Sequence, residues 1–146
     1  MVDMQYQRFG DRTEIRFESG DEFIASLTAF AEAESVSFAV FSGLGGVRRA
    51  RIAYFNSETR EYETHELEEQ FEVVSLIGNI ALRDGKPFIH AHAGLGRKDL
   101  SVVGGHVMEL VARPTIELWL RREAAAASRV PDEESGLALL DLPERL

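Results

Sequence analysis

From Thr13 to Phe17 the chain reads TEIRF, where Ile15 and Phe17 alternate with Glu14 and Arg16 as a half-buried strand requires. A strand or hairpin is predicted over 6–18. The period then changes: Phe23, Leu27, Phe30 and Ala31 recur at helical spacing, and Ser19 precedes Glu22 by three residues. That is the spacing of a capping box, so a helix is predicted over 21–32 with Ser19 at its start. SVSFAVFSGLGGV follows, rich in Val and Phe and ending in Gly43, Gly45 and Gly46, which predicts a buried strand running into a sharp turn or bulge. RRARIAYF resumes as a strand, 62–68 alternates loosely, and FEVVSLIG is a clear apolar strand. Asp84-Gly85-Lys86-Pro87 supplies turn chemistry before the strand PFIHAHAG. GGHVMELVA and TIELWL are separated by Arg113-Pro114, where proline's missing amide hydrogen interrupts a ladder. The segment 130–146 has an acidic turn, PDEESG, then LALLDL, expected to pack back on the body. Together these give an α+β fold: one main helix against a mostly antiparallel sheet of about seven or eight strands.

The 146 residues suit a single domain over 1–146. Apolar residues make up 45% and charged residues 28%, the composition of a globular chain. A net charge of −9 opposes a phosphate backbone unless the cations are segregated. With no cysteine, disulfides, zinc-thiolate sites and thiol nucleophiles are excluded, and any metal must be held by histidine and carboxylate. Charged Asp3, Arg8, Asp11 and Arg12 break up the first residues, so neither a signal peptide nor a membrane span is expected there and a cytoplasmic location is the default.

Three of the four histidines lie in HAHAGLGRKDLSVVGGH. On a strand, Phe88, His90 and His92 project to one face while Ile89, Ala91 and Ala93 project to the other. Same-face neighbours about 6.5 to 7 Å apart can tilt both rings to one ion, so His-x-His on a strand is a chelating geometry. His106 follows after a turn, where an antiparallel return would bring it beside the pair, and Gly104 and Gly105 leave room just before it. Three neutral imidazoles with a fourth position open make the donor set of a catalytic zinc site. The competing reading is two histidines on a half-polar strand face and a third on the surface. His65, in ETHEL, is read as a solvated surface residue.

FSGLGGV, FEVVSLIGNI, PFIHAHAGLG, VVGGHVMEL and TIELWL occur in that order and resemble the PPC-domain family of plants and prokaryotes over 21–120. The resemblance sets Glu72 and Gly78 at signature positions. It implies a homotrimer with histidines near the subunit boundary and zinc on His90, His92 and His106. Plant members join this domain to AT-hooks, Arg-Gly-Arg-Pro segments that enter the minor groove; this sequence contains none, which leaves direct nucleic-acid binding doubtful. A stand-alone module with a binding or regulatory role, and room for a small-molecule ligand at the metal, is the first reading.

The alternative is a zinc-dependent lyase or hydrolase acting on a small keto or hydroxy acid, because the fold and His-x-His arrangement also look similar to acetolactate decarboxylase. Glu72, Glu109 and Glu117 are the carboxylates near the motif strands, with Glu72 preferred as catalytic base. A third reading is nucleic-acid binding by Arg48, Arg49 and Arg51, joined by Arg121 and Arg122; Arg49 and Arg51 share a strand face with Arg48 opposite, which makes a small patch. Gly43-Leu44-Gly45-Gly46 resembles half a phosphate loop but no Gly-Lys-Ser/Thr follows. Trp119 reads as core or subunit interface.

Overall fold

A computed structural model describes residues 4–146. In chain order it contains β1 (Gln5–Phe9), β2 (Arg12–Phe17), α1 (Phe23–Ala33), β3 (Phe38–Asn56), β4 (Glu61–Leu67), β5 (Phe71–Arg83), β6 (Lys86–Gly96), β7 (Val102–Arg122), β8 (Ser128–Pro131) and β9 (Ala138–Asp141). The α+β expectation holds, with one nine-stranded sheet in which only β5 and β8 pair in parallel. Four strands close on themselves: β3 pairs β5, β5 pairs β6, β6 pairs β7, and β7 returns to β3. No helix among the described residues is long and apolar enough to cross a membrane.

The helix starts two residues later than its pattern predicts, and Ser19 is not its cap. Glu22 takes that place, its carboxylate accepting from the amides of Ile24 at 3.1 Å and Ala25 at 2.7 Å. The same carboxylate accepts from the amide of Leu110 on β7 at 3.2 Å, so one side chain both satisfies orphan helix donors and ties the helix to the sheet. Phe23, Leu27, Phe30 and Ala31 are buried beneath α1. Phe23 meets Phe17 and Phe41 edge-on at 5.3 and 6.0 Å, and the core continues through Leu76, Ile80, Leu95, Leu110, Ile116, Leu118 and Leu120.

The two expected interruptions are a bulge and a gap in a ladder, and neither ends a strand. The glycine run does not turn the chain; β3 passes through it as one strand, with shifts of register at Gly43/Gly45 and Gly45/Val47. A Cβ on Gly43, Gly45 or Gly46 would strike backbone carbonyls of Glu117, Thr115 or Arg113 on β7, so these glycines serve close strand approach at a bulge. Likewise GGHVMELVA and TIELWL are one strand, β7. The ladder with β3 jumps from Ala112 to Ile116, so Pro114 falls where no ladder amide is needed. After β7 the chain forms a hairpin at the edge of β5: β8 aligns Leu82 with Ser128 and Arg83 with Arg129, and β9 folds back on β8. This hairpin is what raises the strand count above that read from the pattern.

Candidate metal centre

Residues opposite each other in adjacent antiparallel strands share a face. Asn79 of β5 faces His90, Ile77 faces His92, and His92 in turn faces His106 of β7. Ile89, Ala91 and Ala93 are buried on the other face of β6, so the alternation predicted for PFIHAHAG is the one that forms. The three rings have centroids 5.1, 5.3 and 5.5 Å apart, and one nitrogen from each lies within 4.8 Å of the others. An ion held tetrahedrally at about 2.0 to 2.1 Å from each nitrogen sets them about 3.3 Å apart, a closure that small ring rotations supply. Gly104 faces Gly94 beside this row. His65 is exposed on β4, away from the cluster.

Burial is the largest cause pushing the His90 imidazole down to about 4, with the charges of Arg129, His106 and His92 adding to it. His106 is also lowered, by burial and then by His92. Both are therefore neutral near pH 7, the form that ligates metal. In metal-free protein this carries a linkage. Between the ordinary imidazole value of 6.5 and about 4, the unfolded chain binds protons that the folded chain refuses. Stability is then full above that window and falls as pH falls through it. Urea unfolding of the EDTA-treated protein at pH 7 and pH 4.5 is expected to show the lower midpoint at pH 4.5, and a His90→Gln variant a smaller drop.

The ring of His90 has a further neighbour. Nη2 of Arg129, on β8, lies 3.2 Å from His90 Nδ1 and 2.9 Å from Asn79 Oδ1, while Nη1 donates to the carbonyl of Ala138 at 3.1 Å. A guanidinium only donates, so Nδ1 accepts and the proton of the neutral ring sits on Nε2. Ligation through Nδ1 displaces Arg129, and ligation through Nε2 requires a proton on Nδ1; either way the Arg129 contact and a metal on His90 exclude each other. Burial lowers the Arg129 guanidinium below its ordinary value, with Tyr62 opposing. Tyr62 itself stacks on His106 with centroids 4.7 Å apart. The sequence reading passed over Arg129, Asn79 and Tyr62.

The carboxylates do not assemble here. Glu72 pairs with Gly96 and Gly46, five positions along β5 from Ile77 and so roughly 16 Å from the rings. Glu109 is held by Arg49 at 2.7 Å, and Glu117 is exposed opposite Arg16 and Leu44. The arginine patch is likewise taken up within the chain. Arg49 and Arg51 lie against Glu109, Glu68 and Glu66, Arg121 pairs with Glu123, and Arg122 lies 4.0 Å from Glu34. Arg48 is exposed and takes part in none of these pairs.

Proteins of solved structure share this fold. A plant- and prokaryote-conserved (PPC) protein from Pyrococcus horikoshii is 31% identical, with a TM-score of 0.86 over 99% of each chain. A metal-containing protein from Archaeoglobus fulgidus is 32% identical, with a TM-score of 0.83 over 95% of this chain and 98% of that one. A protein from Bacteroides thetaiotaomicron, provisionally named DNA-binding, shares the fold at a TM-score of 0.91 and 24% identity, covering 94% of this chain and 96% of its own. No curated protein matches the sequence. The sequence profile of the Plants and Prokaryotes Conserved (PCC) domain spans residues 4–122, which include every strand that carries a histidine of the cluster; the chain belongs to that family.

Proposed function

We propose that this protein is a metal-binding, self-assembling module with a binding or regulatory role, working as a cytoplasmic homotrimer. The observation that carries the metal reading is the convergence of His90, His92 and His106 within 4.8 Å. Three imidazoles without a thiolate suit zinc, and nickel or cobalt by the same donor chemistry. A zinc ion so held would leave one coordination position open and act as a Lewis acid there. The metal-containing relative supports this assignment.

The trimer reading rests on the outer face of the sheet. Trp119 faces Ser42, Ser42 faces Ile77, and Ile77 faces His92, so these side chains share one face with Val40. In the single chain Ile77 is 56% exposed, Trp119 37% and Val40 36%; an apolar surface this continuous is what association covers. His92 stands within it, which would put the metal beside a subunit boundary. Light scattering is expected to give a mass of three chains of 16.3 kDa, and Ile77→Asp to give single chains, because each assembly would bury unpaired carboxylates. A wild type that runs as a monomer overturns the assembly.

Binding is preferred to catalysis because, among the described residues, no carboxylate lines the cleft over His90 and His106, and those residues offer no carboxylate base there for a lyase or hydrolase working on a keto or hydroxy acid. Glu72 would serve as that base only if another copy brought it near. Direct recognition of duplex DNA is also disfavoured, since Arg49 and Arg51 are neutralised by glutamates in a chain of net charge −9.

A further inference from the structure

Beside the histidines lies a cleft of about 440 Å³, within the range that encloses small ligands. Its walls come from several segments: Phe55 and Tyr62 from the β3–β4 hairpin, Phe88 from β6, Met108 from β7, and Leu137 to Leu139 from the tail hairpin. Among the described residues, Arg60, Arg83 and Arg129 are its charged lining and no aspartate or glutamate lines it. This is unusual in a chain with 25 acidic side chains. Most of the other arginines differ. Of the eleven outside the cleft, Arg8, Arg12, Arg16, Arg49, Arg51, Arg97, Arg121 and Arg122 each lie within 4.0 Å of a glutamate, while Arg48, Arg113 and Arg145 stand outside the cleft without such a pair among the described residues.

None of the three cleft arginines has a carboxylate at that distance among the described residues. Arg60 donates to the backbone carbonyl of Glu133, Arg83 stacks over Phe88, and Arg129 uses the carbonyl of Ala138 with Asn79 and His90. The charge of Arg60 is felt at Asp132, but that carboxylate is engaged by the hydroxyl and amide of Ser135. The Nε of Arg129 is buried with no hydrogen-bond partner, and buried donors in folded proteins normally have one. Three cations facing apolar walls, without an internal counter-ion, form an anion receptor with an apolar floor.

We infer that this cleft binds a small organic carboxylate, its anionic group held by Arg129 with Arg60 and Arg83 and its apolar body laid against Phe55, Phe88 and Met108. The inference deepens the binding reading above and rests on it only for the location; the arginines and walls are in place whether or not a metal is held. Arg129 and Leu137 to Leu139 also lie after residue 122, where the family profile ends. Because a metal on His90 releases the Arg129 guanidinium from that ring, zinc is expected to strengthen carboxylate binding.

The test is an amide NMR titration with sodium hexanoate, its neutral counterpart hexanamide, and inorganic phosphate, on EDTA-treated and on zinc-loaded protein. Hexanoate is expected to bind both forms, shifting resonances of 128–139, with hexanamide and phosphate each at least about tenfold weaker. Arg129→Gln and, separately, the more exposed Arg83→Gln are expected to weaken hexanoate about tenfold or more, while Arg113→Gln, outside the cleft, leaves it unchanged. Equal binding of hexanoate and hexanamide, or binding untouched by both cleft variants, overturns the inference. Phosphate binding more tightly than hexanoate overturns the organic class. The metal-free arm gives its answer even if zinc never binds, so failure of the metal reading and failure of this one are told apart.

Discussion

Replacing His92 with alanine is expected to lower bound metal from about one ion per chain to none detectable, with the fold intact. His92 is exposed, and its neighbours Ala91 and Ala93 carry the burial of β6, so truncating the ring removes little packing. What it removes is one of three donors that converge among the described residues. Two imidazoles and solvent do not make a closed chelate, and loss of an inner ligand exceeds the 10- to 100-fold loss in affinity typical of an outer-shell partner. The measurement is mass-spectrometric metal analysis of tag-free wild type, His92→Ala and, as a control away from the cluster, His65→Ala. Thermal unfolding gives a second readout: metal at about 100 times its Kd stabilises the wild type by about 2.7 kcal/mol. That increment should vanish in His92→Ala and persist in His65→Ala. Metal retained in His92→Ala would move the site to other donors; none in the wild type would make the three rings a structural cluster.

The candidate site was more legible in the sequence than the architecture that holds it. Alternation in PFIHAHAG put His90 and His92 on one face without any knowledge of the fold, because the period of a strand is local. More could have been read there. Once Asp84-Gly85 is taken as a two-residue turn, Arg83 faces Lys86, and counting back sets Asn79 opposite His90 and Ile77 opposite His92. The glycine run left turn and bulge both open because the two carry the same residues; only the partner strand decides for the bulge, and β7 supplies carbonyls where β3 has no side chains. Arg129 left no local signal at all. It reaches His90 through a parallel pairing only two residues long, Leu82 with Ser128 and Arg83 with Arg129, and such a contact is set by tertiary packing. Glu72 shows the reverse case: its position is marked in sequence, yet within one chain it stands at the far end of β5 from the rings.

Gly78→Ala should be among the most damaging single-methyl changes to the site, although Gly78 carries no chemistry. It sits on β5 between Ile77 and Asn79, the residues that face His92 and His90. A Cβ there would overlap the carbonyl oxygen of His90, lie 2.5 Å from Cζ of Phe41 and 3.0 Å from the Cα of Ala91. Two of these obstacles are backbone of the very strand that aims the histidines, so relief requires β6 to move away from β5. Overpacking of this kind costs about 3 kcal/mol or more. Gly85 is the informative comparison. Its φ of +76° is one that side chains rarely adopt, but nothing lies within 4 Å of its Cβ position, so Gly85→Ala costs only the backbone strain, about 1 to 2 kcal/mol. Urea unfolding should therefore rank wild type, Gly85→Ala and Gly78→Ala in falling midpoint, and metal uptake should fail in Gly78→Ala alone. A Gly78→Ala protein with wild-type stability and full metal would mean that β5 and β6 do not approach as closely as this register requires, and the row of residues from Trp119 to His106 would have to be redrawn.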